Sequence, residues 1–195
     1  MPELRELFVQ ELQGLLDAET QLTTALPKMA EAANHPKLKE AFEKHLLQTQ
    51  NHVERLRQIF GRLGEDAESK PCKAMQGLIE EGQEIINESS GKEATAADLA
   101  LIAAAQKVEH YEIASYGTVR ALARQLGDPE CARVLSHTLG EEESADYLLT
   151  AIADPLIQQA TLDEMGGNVN LDKPPIEERS TSAKKKKPSK SEKVA

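Results

Sequence analysis

Leu4-Arg5-Glu6-Leu7-Phe8-Val9-Gln10-Glu11-Leu12-Gln13-Gly14-Leu15-Leu16-Asp17-Ala18-Glu19-Thr20-Gln21-Leu22-Thr23-Thr24-Ala25-Leu26-Pro27-Lys28-Met29 sets the fold class. Its apolar residues Leu4, Phe8, Leu12, Leu15, Leu22, Leu26 and Met29 recur at steps of three and four, the period of a helix with one buried face. The position between Leu15 and Leu22 is Glu19, so a carboxylate stands inside the seam. A buried carboxylate without a partner protonates, pairs with a cation or binds a metal.

Three further segments repeat this arrangement. Leu38 and Phe42 lead to Leu56 and Leu63 past His45, Thr49 and His52, with Gln48 one turn before His52. Leu101, Ala105, Val108, Val119, Leu122 and Leu126 leave Glu112 in the middle, flanked by Glu109 and Tyr116. Cys131, Leu135, Thr138, Ala145, Leu149, Ile152 and Leu156 enclose Glu142, with Asp146 one turn beyond. Punctuation bounds these helices: Pro36 is a first-turn proline, Gly61 and Gly64 are stops, Thr95 with Asp98 resembles an N-cap pair, and Gly127-Asp128-Pro129 is a stop, a cap and a restart. Long helices are predicted near 3–33, 36–63, 95–126 and 129–165, with Pro27 a kink or early break in the first. A shorter helix, opened by Ser69-Lys70-Pro71, is expected near 72–89. Nothing alternates with period two, so no strand is expected.

The spacing reads as one helical hairpin used twice. Glu19 is followed after 29 residues by Gln48 and four later by His52; Glu112 is followed after 30 by Glu142 and four later by Asp146. With the 64–94 connection as a crossover, the two hairpins face each other and the carboxylates converge, as in four-helix bundles that hold two iron or manganese ions. Simpler readings stand beside this one. Glu141-Glu142-Glu143 fits a solvated face, His45 and His52 fit core or boundary positions, and Tyr116 fits a packing role. Glu109, His110 and Glu112 point in different directions, so at most two of them share the interior.

Composition narrows the remaining classes. The 195 residues suffice for one core, and no segment approaches a membrane span or opens like a secretion signal, so a cytoplasmic protein is expected. Cys72 and Cys131 are far apart, which argues against a disulfide framework or thiolate zinc site. Aromatic side chains make up 3% of the chain and Trp is absent, removing the stacking platforms of a single-strand nucleic-acid binder. No Gly-rich elbow or phosphate loop supports nucleophilic catalysis. The total charge of −10 is uneven: residues 173–195 carry +5 and the remainder −15. The expected organisation is a helical bundle over 1–167 and a disordered Lys-rich tail over 168–195. The run Lys184-Lys185-Lys186-Lys187 would make weak, salt-sensitive contact with nucleic acid, an anionic membrane surface or an acidic partner.

The segment Leu101-Ile102-Ala103-Ala104-Ala105-Gln106-Lys107-Val108-Glu109-His110-Tyr111-Glu112-Ile113-Ala114-Ser115-Tyr116-Gly117-Thr118 resembles the signature of the YciF-type bacterial stress proteins, within the ferritin-like group. Ala18-Glu19-Thr20-Gln21-Leu22, Cys72-Lys73-Ala74-Met75-Gln76-Gly77-Leu78-Ile79-Glu80-Glu81 and Thr138-Leu139-Gly140-Glu141-Glu142 extend the resemblance over roughly 4–160. It implies a rubrerythrin-like bundle, a homodimer, stress induction and a di-metal centre of iron or manganese with no firmly assigned activity. The second helix departs from the pattern: Gln48-Thr49 and then His52 stand where relatives commonly have Glu-Thr followed by Gln, so a bridging carboxylate is exchanged for an imidazole. Gly14 and Leu16 replace residues that orient ligands in relatives, Asp and Tyr. Glu19, Glu112 and Glu142 are the first expected ligands, then His52, Asp146 and Glu109, with Gln48 a weak or outer contributor. The expected chemistry is oxidoreduction of oxygen or peroxide; the alternative is a non-catalytic stress or scaffold protein that binds DNA or an acidic partner through its lysine tail.

Overall fold

The computed structural model describes residues 2–89 and 91–164. Five helices follow in order: α1 Pro2–Ala32, α2 Pro36–Leu63, α3 Lys73–Glu88, α4 Ala94–Gln125 and α5 Pro129–Glu164. No strand occurs among the described residues. The chain folds as a ferritin-like four-helix bundle of α1, α2, α4 and α5, with α3 in the crossover. Residues 165–195, including the expected domain boundary and the Lys184–Lys187 run, lie outside the described residues.

The helix limits follow from local chemistry. Pro36 opens α2, and Gly64 closes it at φ 70°, a left-handed conformation that costs glycine little. Gly127 adopts φ 78° before α5, where Asp128 Oδ1 accepts the Cys131 N–H at 3.0 Å. That bond, with Arg62 alongside, holds the Asp128 carboxyl down to about 2. Helix α1 continues through Pro27 to Ala32, so no early break occurs. Two starts differ from the sequence expectation. Cys72 caps α3, its Sγ accepting from Met75 N at 3.4 Å.

Glu93, rather than Thr95, caps α4 by accepting the Thr95 and Ala96 N–H groups. Asp98 is buried instead, and its carboxylate accepts the backbone N–H groups of Asn34 at 2.8 Å and His35 at 2.7 Å. It thereby ties the α1–α2 turn to α4. Asp98→Ala strands those two donors and is expected to lower stability by about 1–3 kcal/mol, measured by urea unfolding.

The apolar seams build two separate cores. Leu22, Leu26, Leu38, Phe42, Leu101 and Leu149 belong to one; Phe8, Leu12, Leu56, Phe60, Val119 and Leu135 belong to the other. Residue order within each core makes α1 antiparallel to α2 and α4 antiparallel to α5, while α2 and α4 run parallel. Only a crossover can join two parallel helices. Helix α3 lies along that crossover and packs on α4 and α1.

Candidate metal centre

Between the two cores every long helix contributes polar side chains. Glu19 comes from α1; His45, Thr49 and His52 from α2; Glu109 and Glu112 from α4; Thr138 and Glu142 from α5. All are buried, with Glu19, His52, Glu112 and Glu142 fully inaccessible. The solvated reading of the 141–143 run therefore fails at its central member, while Glu143 is exposed and Glu141 is half-buried.

The ionisable side chains form two groups that share one residue. His45, Glu109, Glu112 and Glu142 make one and Glu19, His52 and Glu142 the other, with one potential ligand atom per residue and those atoms within 4.8 Å of one another in each group. The Glu142 carboxylate lies across both: Oε2 is 3.6 Å from His45 Nε2, and Oε1 is 2.9 Å from His52 Nδ1. Glu109 Oε1 is 3.4 Å from His45 Nε2, and Glu19 Oε1 is 3.3 Å from His52 Nδ1. The two imidazole rings, 6.4 Å apart between centroids, mark the two halves.

These close approaches leave much of the hydrogen-bonding capacity unused. Both oxygens of Glu112 and Glu142, Oε2 of Glu19 and Glu109, both ring nitrogens of His45 and Nδ1 of His52 are buried without a hydrogen-bond partner. Folded proteins satisfy the large majority of such atoms. Burial raises the Glu109 and Glu112 carboxyls well above the usual carboxylate range, reinforced by the charges of Glu142 and Glu19. Burial lowers His45. It opposes protonation of His52 as well, but the carboxylates of Glu142 and Glu19 outweigh it and push that group up to about 10.

A surrounding set of bonds fixes the geometry. His52 Nε2 lies 2.9 Å from Glu141 Oε2, and Arg55 grips Glu141 through both terminal nitrogens while donating to Thr138 Oγ1 at 3.2 Å. With Nε2 engaged, His52 presents Nδ1 to the interior, a carboxylate–histidine arrangement that orients metal ligands. Tyr116 donates its hydroxyl to Glu19 Oε1, so it orients a carboxylate as well as packing. Glu141→Gln weakens the hold on His52 and is expected to lower metal affinity of the Glu19–His52–Glu142 group roughly 10–100-fold, read by competition with a chelating dye.

Glu19, His52, Glu109, Glu112 and Glu142 come together as a set; Gln48 and Asp146 do not join either group. Gln48 is half-buried, one position away from the inward row His45, Thr49 and His52. Asp146 Oδ1 accepts from Gln106 Nε2 at 3.1 Å and lies 3.4 Å from His110 Nδ1, at the α4–α5 surface. The hairpin spacing placed both at equivalent depth, but depth alone does not turn a side chain inward. His45, left out of the expected ligand set, belongs to the larger group. Its signal was its position two turns before His52 on the same face of α2.

Comparison with known proteins agrees with this architecture. Residues 3–162 match the family model described as Domain of unknown function (DUF892). Protein YciF of Escherichia coli K12 is 45% identical over 159 residues, covering 78% of this chain and 92% of YciF. The crystal structure of the E. coli stress protein YciF superposes with TM-score 0.77 at 43% identity, covering 82% of this chain and 99% of that one. YcfI of Rhodopseudomonas palustris gives TM-score 0.72 at 40% identity over 75% of this chain and 92% of its own. A Xanthomonas campestris protein, at 21% identity, shares the fold with TM-score 0.64 over 83% of this chain and 99% of its own. With the family model matching residues 3–162 and 45% identity to YciF over 159 residues, the chain belongs to the DUF892 family and is a YciF homologue.

Proposed function

We propose that the protein is a stress-associated di-metal oxidoreductase, holding two iron or two manganese ions and acting on oxygen or peroxide. The observation that carries this reading is the Glu142 carboxylate, with one oxygen toward each half of a buried group of unpartnered ligand atoms. Four interior carboxylates, Glu19, Glu109, Glu112 and Glu142, balance the charge of two divalent ions, which removes the cost of burying them. Oxygen donors with imidazole suit iron and manganese, and the absence of thiolate from both groups argues against a sulfur-selected metal. The stress role rests on the description of the E. coli homologue as a stress protein.

In this reading His45, Glu109, Glu112 and Glu142 would hold one ion and Glu19, His52 and Glu142 the other. Such a pair would supply one-electron redox change at each ion and Lewis acidity. Tyr116 keeps Glu19 in orientation through its hydroxyl, and Arg55 with Glu141 keeps His52 facing inward. The two apolar cores close the layer along the bundle axis and lower the dielectric around these ligands. Metal analysis of protein purified from iron- or manganese-supplemented cells tests the proposal: about two ions per chain are expected, and metal no higher than in a Glu19→Ala, Glu142→Ala double variant would overturn it.

A further inference from the structure

A cavity of about 420 Å³ enters the bundle between α2 and α5. Ala41, Phe42, Leu47, Ala145, Leu148 and Leu149 make its walls largely apolar. His45 and Glu109, only 5% and 3% exposed, lie at its inner end, whereas Leu47 and Leu148 are 61% and 44% exposed at its mouth. The cavity thus runs from the surface to two members of the carboxylate–histidine group. Both ring nitrogens of His45 and Oε2 of Glu109 lack hydrogen-bond partners.

Its size bears on what it receives. The volume is about thirty times the 10–15 Å³ that one water-sized molecule requires, and it falls within the roughly 300–1,000 Å³ range of sites for organic ligands. A passage for dioxygen or hydrogen peroxide alone does not need this volume. The inner end is polar, while the walls are mainly aliphatic and aromatic, with Lys44, Gln48, Glu141 and Ser144 as their polar members. A ligand with an apolar body and one hydroxyl-type head satisfies both regions.

Resting on the di-metal reading above, we propose that this cavity binds an organic hydroperoxide, with its hydrocarbon body against Phe42, Leu148 and Leu149 and its –OOH head at the inner end, beside the ion that His45 and Glu109 would hold. Reduction of ROOH to ROH and water breaks the O–O bond and consumes two electrons and two protons. The electrons would come from two reduced iron or manganese ions, each giving one, and the protons from solvent. Ala145 is the residue whose enlargement closes the cavity, since it is half-buried in the wall contributed by α5.

The alcohol 2-phenyl-2-propanol, which shares the body and hydroxyl of cumene hydroperoxide but lacks its O–O bond, reports binding without turnover. Calorimetric titration of the full chain, metal-free and manganese-loaded, is expected to show saturable one-to-one binding. Ala145→Phe is expected to weaken it by at least about tenfold, which is about 1.4 kcal/mol, while manganese content and Tm stay near wild type. Leu148→Lys, at an exposed position, places a charge at the mouth and is expected to weaken binding if Ala145→Phe compromises folding. Non-saturable binding to the wild type, or unchanged affinity in every folded variant, overturns the proposal. Metal uptake without alcohol binding removes the hydroperoxide site alone. Pocket-dependent alcohol binding without metal uptake removes the di-metal reading and, with it, the hydroperoxide chemistry.

Discussion

Glu142→Ala is expected to reduce bound metal from two ions per chain to none, whereas Glu19→Ala leaves one. The asymmetry follows from geometry: Glu142 belongs to both ligand groups and Glu19 to one. Stability reports the same difference. An ion that binds only the folded chain contributes about 2.7 kcal/mol when present at 100 times its Kd. For a chain of this size that corresponds to a rise of roughly 5–11 °C in Tm per ion. Wild type should therefore show two such increments on metal addition, Glu19→Ala one and Glu142→Ala neither. Equal metal content in the two variants, measured beside Tm, would refute the bridging role.

The second large effect has opposite signs at two neighbouring levels of one helix. Leu101→Ala, in the core formed with Leu22, Leu38 and Leu149, removes fully buried methyl groups and is expected to cost about 2–5 kcal/mol. Glu112→Leu, three turns along α4, removes a carboxylate whose two oxygens have no hydrogen-bond partner. It is expected to stabilise the metal-free protein by about 1–3 kcal/mol, the cost of an unsatisfied buried polar group. The same change deletes a ligand and abolishes metal-dependent stabilisation of the His45 group. Urea unfolding of metal-free wild type and both variants decides the matter. A loss at Glu112→Leu as large as that at Leu101→Ala would mean that the polar layer holds the bundle together rather than holding metal.

Sequence and tertiary structure divided the information along physical lines. Helical period and termini are local properties, so Pro36, Gly64 and Gly127-Asp128-Pro129 marked boundaries that the structure reproduces within about two residues. Seam interruptions are local too. Glu19, Glu112 and Glu142 each replace an apolar residue at the centre of an inward row, and all three are buried in the shared layer. The Thr95–Asp98 pair was misread because a side chain near a helix start has two uses, capping its own helix or bonding elsewhere. Asp98 took the Asn34 and His35 N–H groups, partners 64 and 63 residues away in sequence that only packing of α4 against the α1–α2 turn brings close.

What the one-dimensional pattern determined, then, was five helices, the seams of the four long ones and the depth at which those seams become polar, because each depends on neighbours within a few turns. Tertiary structure decided which polar residues meet. Three positions along α2 separate His45, which faces Glu109 and Glu142, from Gln48, which remains half-buried; one turn along α5 separates Glu142 from Asp146 at the surface. The grip of Arg55 on Glu141 and of Tyr116 on Glu19 likewise joins residues 86 and 97 positions apart. Such contacts depend on helix rotation and inter-axial approach, quantities that the packing of the whole bundle sets and no single helix encodes.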